Sequence, residues 1–440
     1  MSKWLYIDNF RGFKDTYIPL SDVNFLVGEN STGKTSILYL LKLLESPEFW
    51  FVQSFNTEIV NLGLFGDIAS VQTKGKKIFK IGIIVPSKGN GKKLTENFSA
   101  ILMTFEKKDN NPLIYQYNYI GSLGKAEIIF KGNQILYKYV TIDSLSQSQE
   151  AVLRVFKEWT GEEQQDIKEY KSLHKETPFK RQAVLLFIDR LLQQMHGESI
   201  DQKDEHIFSV GIPEFDARIV LLAPIRSKPK RTYDEYKIYF NPEGEHTPYL
   251  IRKLLKQRKA SKDFRHFIEI FGKESGLFES IEIKGYGNNV ASPFELRVTL
   301  NNLPRTLINV GYGVSQALPV IVEMFVQPKN TKFAIQQPEV HLHPRAQAAL
   351  GDVIFKLAVE ENKQFYIETH SDYTIDRFRL NYRNKKEAVN IKSQILFFWR
   401  DSEGNHVVPI KIQENGEYPE DQPKEFREFF IHEEMRLLGL

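Results

Sequence analysis

A chain of 440 residues that is 41% hydrophobic can bury a sizeable core, in one large domain or in two to three modest ones. Its 59 Lys and Arg against 56 Asp and Glu leave a net charge of +3, so nothing pulls it as a whole toward nucleic acid or an anionic membrane. The lack of cysteine excludes disulfides, thiolate zinc sites and cysteine nucleophiles, and no stretch approaches the ~20 apolar residues that span a bilayer, so a cytoplasmic location without membrane contact is expected.

From the N-terminus, Trp4 to Ile7 and Val23 to Val27 read as two short strands around a turn, the second running into a Gly-rich loop. A helix follows, because Ile37, Leu40, Leu41 and Leu44 recur on one face, and Ser46-Pro47 ends it. Short β-rich runs then alternate with Gly, Asn and Lys turns: Ile78 to Val85, Ser99 to Phe105, Ile114 to Tyr119, Glu127 to Phe130 and Ile135 to Val140. This spacing predicts an antiparallel meander. Beyond it the period becomes helical, with Val152, Val155, Phe156 and Trp159 on one face and Leu185, Ile188 and Leu192 on another. That segment is either a packing elaboration or an arm for another protein. Core-like strands return at Ala217 to Ala223, Phe333 to Ile335, Phe365 to Ile367 and Ile395 to Trp399, and the last three are separated by helical sequence, as in βαβ units feeding a parallel sheet. The expected division is an N-terminal lobe over 1–145, a helical insertion over 146–215 and a C-terminal lobe over 216–440.

The segment Gly28-Glu29-Asn30-Ser31-Thr32-Gly33-Lys34-Thr35 fits G-x-x-x-x-G-K-[ST] at every fixed position and lies between a predicted strand and a predicted helix. Glycines let backbone N–H groups curl around phosphates, and the helix N-terminus adds partial positive charge. In such a loop Lys34 reaches the β- and γ-phosphates and the Thr35 hydroxyl ligates Mg²⁺.

With this loop, the opening LYIDNFRGFKD followed by VNFLVGENSTGKTS is similar to the start of the RecF and SMC-like ABC ATPases, including the overcoming-lysogenization-defect type. The resemblance implies an α/β fold: an ABC-type P-loop ATPase head with a mixed, largely parallel central sheet, an antiparallel β subdomain and a helical insertion. It implies ATP and Mg²⁺ as cofactors, with Arg11, Asn30, Ser31, Thr32, Gly33, Lys34, Thr35 and Ser36 around the nucleotide. Asn309 to Pro319 resembles the signature loop of this branch. Gly311, Gly313 and Ser315 open an apolar helix there, so N–H groups and a hydroxyl can face a γ-phosphate held by a second copy.

Phe333-Ala334-Ile335-Gln336-Gln337-Pro338-Glu339-Val340-His341-Leu342-His343-Pro344 resembles the Walker B strand and D-loop, with a departure. Relatives carry a carboxylate at the position of Gln336, where it holds Mg²⁺ through its waters, and another at the position of Gln337, where it polarises the attacking water. An amide carries no charge and accepts no proton at neutral pH, so hydrolysis is expected to be weak or absent. Glu339 is the nearest carboxylate and a partial substitute. His341 and His343 alternate on an extended segment, which leaves a minor metal-binding reading open. Glu368-Thr369-His370-Ser371-Asp372 resembles the switch loop, with His370 placed to contact the γ-phosphate. The Q-loop equivalent is not clear, with Asp67 and Gln72 as weak candidates.

Leu221 to Arg226 resembles a segment shared by stand-alone members of the branch. Arg252, Lys253, Lys256, Arg258, Lys259, Lys262 and Arg265 decorate what reads as one amphipathic helix, either a phosphate-backbone contact or a solvated face, so nucleic acid stays open as a partner. The sequence after His370 reads as a strand, a hairpin near Gly404-Asn405, a return strand Val407 to Ile412 and an amphipathic helix around Phe426 to Leu438. That leaves no room for a Toprim nuclease in cis. The layout is most like the ATPase subunits of two-gene anti-phage systems, such as PtuA of Septu or AriA of PARIS. The resemblance therefore implies a head-to-tail dimer or higher homo-oligomer with an HNH or Toprim nuclease in trans. The alternative is a repair or recombination ATPase that clamps DNA.

Overall fold

The computed structural model describes residues 3–70, 78–88, 94–121, 124–132, 134–141, 148–161, 169–173, 218–235, 237, 239–287, 289, 291–385 and 389–426. The described residues form two compact units: those within Met1–Ser21, Glu29–Asp216 and Phe398–Pro409 make the first, and those within Asp22–Gly28, Ala217–Phe397 and Ile410–Leu440 the second.

The first unit is built on an eight-stranded antiparallel sheet in the order Thr16–Leu20, Lys3–Asp8, Ile78–Lys88, Leu94–Lys108, Asn111–Gly121, Gly124–Lys131, Gln134–Thr141 and Lys171–Leu173. From Ile78 onward this is the expected meander, each strand paired with the next in sequence. Pro19 lies on the edge strand, the place where a residue without an N–H costs the sheet nothing. The helix Gln149–Thr160 is N-capped by Ser148, whose Oγ accepts from Ala151 N. It buries Val152, Phe156 and Trp159 against Tyr6, Ile84, Phe98, Ala100, Leu102 and Ile120 of the sheet. The remaining residues of the expected insertion face, Leu185, Ile188 and Leu192, lie outside the described residues, as do Gln72 and nearly all of the expected C-terminal helix.

In the second unit Ile219–Leu222, Lys332–Gln336, Gln364–Glu368 and Val23–Gly28 are successive neighbours in one sheet, and the part of the strand Ser393–Arg400 that belongs to this unit, up to Phe397, lies next to Val23–Gly28. Neighbours among the first four are parallel. Val23–Gly28 is buried at all six positions, as a central parallel strand requires. Helices Pro344–Glu361 and Asp372–Asn384 follow two of these strands and complete the βαβ pattern.

Four features depart from the sequence reading. Residues 4 to 27 form three strands rather than two: Lys3–Asp8 pairs with Thr16–Leu20, while Val23–Gly28 joins the other sheet. The presumed single cationic helix is two, Thr247–Lys256 and Arg258–Ser275, broken at Gln257 where the backbone is extended. Arg252 is not on a solvated face. It is 6% exposed, donates to the carbonyls of Ser292 at 2.7 Å and Asn289 at 2.9 Å, and lies over the Phe294 ring. The segments Ser280–Gly285, Phe294–Leu300 and Leu303–Thr306 form a three-stranded antiparallel sheet that had no counterpart in the reading.

Candidate functional site

In the second unit three parallel strands, Lys332–Gln336, Gln364–Glu368 and Val23–Gly28, end side by side, with Gln336 level with Glu368 and Glu368 level with Leu26. The Walker B turn, the switch loop and the root of the phosphate loop therefore leave one edge of one sheet. This is the carboxyl edge at which open α/β sheets bind ligands.

The phosphate loop enters the first unit at Glu29. Ser31 and Gly33 both adopt left-handed backbone, at φ 62° and 93°. At Gly33 any Cβ would also lie 2.5 Å from the Phe13 ring, so only glycine fits. The Lys34 ammonium is 3% exposed and donates to the Glu29 carbonyl at 2.6 Å, and the Thr32 hydroxyl donates to the same oxygen at 2.7 Å. Helix Lys34–Leu43 has no side-chain cap and no acidic residue in its first turn, so no carboxylate of that turn competes with an anion for its positive end. Asn30 and Ser31 are exposed, and Thr35 and Ser36 are half-buried. Arg11, itself left-handed at φ 45°, donates to Ser36 Oγ at 3.2 Å and to the Leu62 carbonyl at 2.8 Å. Burial lowers its pKa, and Asp67 opposes that shift. Asp67 also accepts from the Leu64 N–H at 2.8 Å and so closes its own turn.

In the second unit Gln336 is 2% exposed, and its amide nitrogen has no hydrogen-bond partner. Gln337 is left-handed at φ 41° and donates its N–H to the Glu368 carbonyl at 2.8 Å. The carbonyls of both glutamines accept from Arg226 Nη2, at 3.1 and 3.4 Å. Arg226 is 3% exposed, and burial pushes its pKa down to about 10 against the pull of Glu339. Sequence reasoning noted Arg226 without a role. The one available signal was a cation directly after an apolar strand whose parallel neighbour is the Walker B strand.

Glu339 ties two loops together, because its Oε1 accepts from the His370 N–H at 2.7 Å while its Oε2 is buried without a partner. Burial raises its pKa above the ordinary carboxylate value, opposed by the His370 N–H and by Arg226. A carboxyl whose folded pKa exceeds its unfolded one loses stability as pH rises through the window between them. Glu339→Gln removes that titration while keeping an acceptor for His370. Thermal melts from the carboxylate range to neutrality should show a flatter profile for the variant, with a higher melting temperature at the neutral end.

His343 caps helix Pro344–Glu361, its Nδ1 accepting from Ala346 N, and His341 is left-handed with its ring 5.7 Å from that of Tyr312. No metal-holding group of three or more His, Cys, Asp or Glu occurs among the described residues. Ser371 caps helix Asp372–Asn384, leaving His370, which is exposed, at the head of that helix. In the signature segment, helix Tyr312–Val326 starts at Gly311, which is exposed. A Cβ at Gly313 would sit 3.0 Å from the His341 carbonyl, so the glycine lets the signature loop pack on the D-loop. The Ser315 hydroxyl donates to the Tyr312 carbonyl at 2.8 Å and is turned inward, with the residue 6% exposed.

Strand order, phosphate loop and the loops at one sheet edge define a P-loop ATPase fold. The chain belongs to the AAA_15 family, AAA ATPase domain, whose model matches residues 1–375. Among solved structures it is similar to an Smc head bound to the C-terminal winged-helix domain of ScpA, at 12% identity and TM-score 0.45 over 93% of this chain and 98% of that one. It is also similar to the SMC head domain from Thermotoga maritima, at 10% identity and TM-score 0.40 over 93% and 98%. An Smc head from Pyrococcus furiosus aligns at 12% identity and TM-score 0.42 over 99% of each chain. A search of curated proteins gives no match. No helix among the described residues is long and apolar enough to cross a membrane.

Proposed function

We propose that the protein is an ATP-binding subunit that pairs head to tail with a second copy, hydrolyses ATP weakly or not at all, and controls a nuclease supplied in trans within an anti-phage defence complex. One observation carries the nucleotide part: an uncapped helix N-terminus behind a complete phosphate loop, rooted at the sheet edge where the Walker B and switch loops also emerge. ATP supplies the phosphate chain whose charge such a terminus stabilises. Lys34 is the phosphate-binding cation, and Asn30 to Ser36 with Arg11 are the surrounding groups. Mg²⁺ would take the Thr35 hydroxyl as a ligand, while Gln336 stands where a water-holding carboxylate is expected, and its buried, partnerless amide nitrogen is a donor that cannot accept from a metal-bound water. Gln337, Glu339 and His370 are the groups assigned to the reacting phosphate, and Gly311, Gly313 and Ser315 those offered to nucleotide on the second copy. The defence role rests on the resemblance of the chain's motifs to those of the overcoming-lysogenization-defect type.

Lys34→Ala is expected to abolish ATP binding in a direct calorimetric titration. Tight, magnesium-dependent binding by that variant would remove the phosphate-loop assignment. Co-purification with the product of the adjacent gene, read by the mass of the complex, tests the partner. A neighbour that is no nuclease and forms no complex rejects the defence reading.

A further inference from the structure

Beside the signature helix the second unit holds a cleft of about 450 Å³, which touches the residues given roles above at Arg226 and Ser315 and whose remaining lining those roles do not use. Its volume lies in the range of small-molecule sites. Much of its lining is apolar, with Leu296, Leu307, Leu318 and Pro319 joined by Tyr233 and Tyr249. Tyr233 is held in place, because its ring stacks on Phe294 at 5.4 Å and its hydroxyl accepts from Lys230 N at 3.2 Å. The aromatic part of the cleft is therefore preformed.

The polar lining is biased toward cations: Arg226, Lys228, Lys230 and Lys237 against Glu243 and Glu245. Lys237 is engaged by Glu245 at 2.7 Å, and Lys230 by Glu235 at 3.3 Å. Lys228 is exposed and has no ion pair among the described residues. Two buried donors complete the lining. Thr247 is 2% exposed with no partner for its hydroxyl, and Arg226, 3% exposed, has none for Nε and Nη1. Buried donors without acceptors are costly, and an anion beside them supplies the acceptor. Several donors around one space suit a phosphate, with its terminal oxygens, better than a single carboxylate. The aromatic walls suit a planar body.

We propose that this cleft binds a small organic phosphate with an aromatic body, of nucleoside monophosphate size, independently of the phosphate loop. The probe is a fluorescent N-methylanthraniloyl derivative of AMP, titrated by polarisation into Lys34→Ala protein, where the phosphate loop is disabled. Lys34→Gln serves as a second background should the alanine variant fold poorly. Saturable binding is expected, competed by AMP but not by adenosine. Lys228→Glu with Lys230→Glu should weaken it at least tenfold, and Thr247→Val several-fold. Lys253→Glu, exposed on the helix that Thr247 begins, should leave it unchanged. The proposal is overturned by absence of saturable binding, by indifference to both the charge reversal and Thr247→Val, or by adenosine competing as well as AMP. Failure of ATP binding at the phosphate loop would leave these outcomes untouched, so the two readings fail separately.

Discussion

Wild-type protein is expected to release phosphate from ATP slowly or undetectably, and Gln337→Glu to gain turnover. A general base contributes on the order of 10²- to 10⁴-fold, or about 3 to 5 kcal/mol of barrier. The amide at Gln337 cannot supply it, and the neighbouring amide at Gln336 leaves the metal side without its usual charge. Binding does not depend on those carboxylates in the same way, because Lys34 and the helix N-terminus remain. On the proposed reading ATP would act as a long-lived structural ligand that stabilises the assembled state by mass action, and its loss rather than its cleavage would change the complex.

Glu339 is the rival base, and its surroundings cut both ways. Its raised pKa improves it as a proton acceptor. Yet one of its oxygens is committed to the His370 N–H and the other is buried, so it acts first as a tie between the Walker B turn and the switch loop. Steady-state phosphate release by wild type, Gln337→Glu, Glu339→Gln and Glu339→Ala separates the roles. Glu339→Gln keeps the tie and removes the base, whereas Glu339→Ala removes both. Robust wild-type turnover lost equally in the two Glu339 variants would transfer catalysis to Glu339 and end the weak-hydrolysis reading.

Much of this site was legible because its signals are local. The phosphate loop is a fixed spacing between a strand and a helix, and the meander is a series of short β-rich runs separated by Gly, Asn and Lys turns. The fate of Val23–Gly28 was not legible in the same way, because its partner lies far along the chain, with Asn24 donating to the Phe365 carbonyl at 3.2 Å. An apolar strand that follows a turn looks like the second half of a hairpin until that partner is known. Arg226 and Arg252 were obscured for a related reason. An arginine reads as surface unless carbonyls are known to wait for it, and here the carbonyls of Gln336 and Gln337, or of Ser292 and Asn289, come from distant segments. The break at Gln257 is hidden because apolar and cationic residues keep a helical period across it.

Head-to-tail association in ATP is expected to be lost in Gly313→Trp while the monomer still binds nucleotide. The signature loop presents exposed Gly311, where a partner's phosphates would meet backbone N–H groups, beside Tyr312, whose 48% exposed ring offers a side-chain contact. Ser315 differs, since its hydroxyl must first leave the Tyr312 carbonyl to reach a second copy, and the glycines are therefore the stronger test. Gly313 also faces inward, and a bulky side chain there presses on the His341 carbonyl and disturbs the D-loop of its own subunit. Tyr312→Ala avoids that contact and reads the outward face alone. A lost central contact of about 2 kcal/mol weakens association about thirtyfold. Light scattering with ATP should show monomers for Gly313→Trp and a shifted concentration dependence for Tyr312→Ala, with ATP titrations unchanged in both. Full assembly by both variants would place the pairing surface elsewhere.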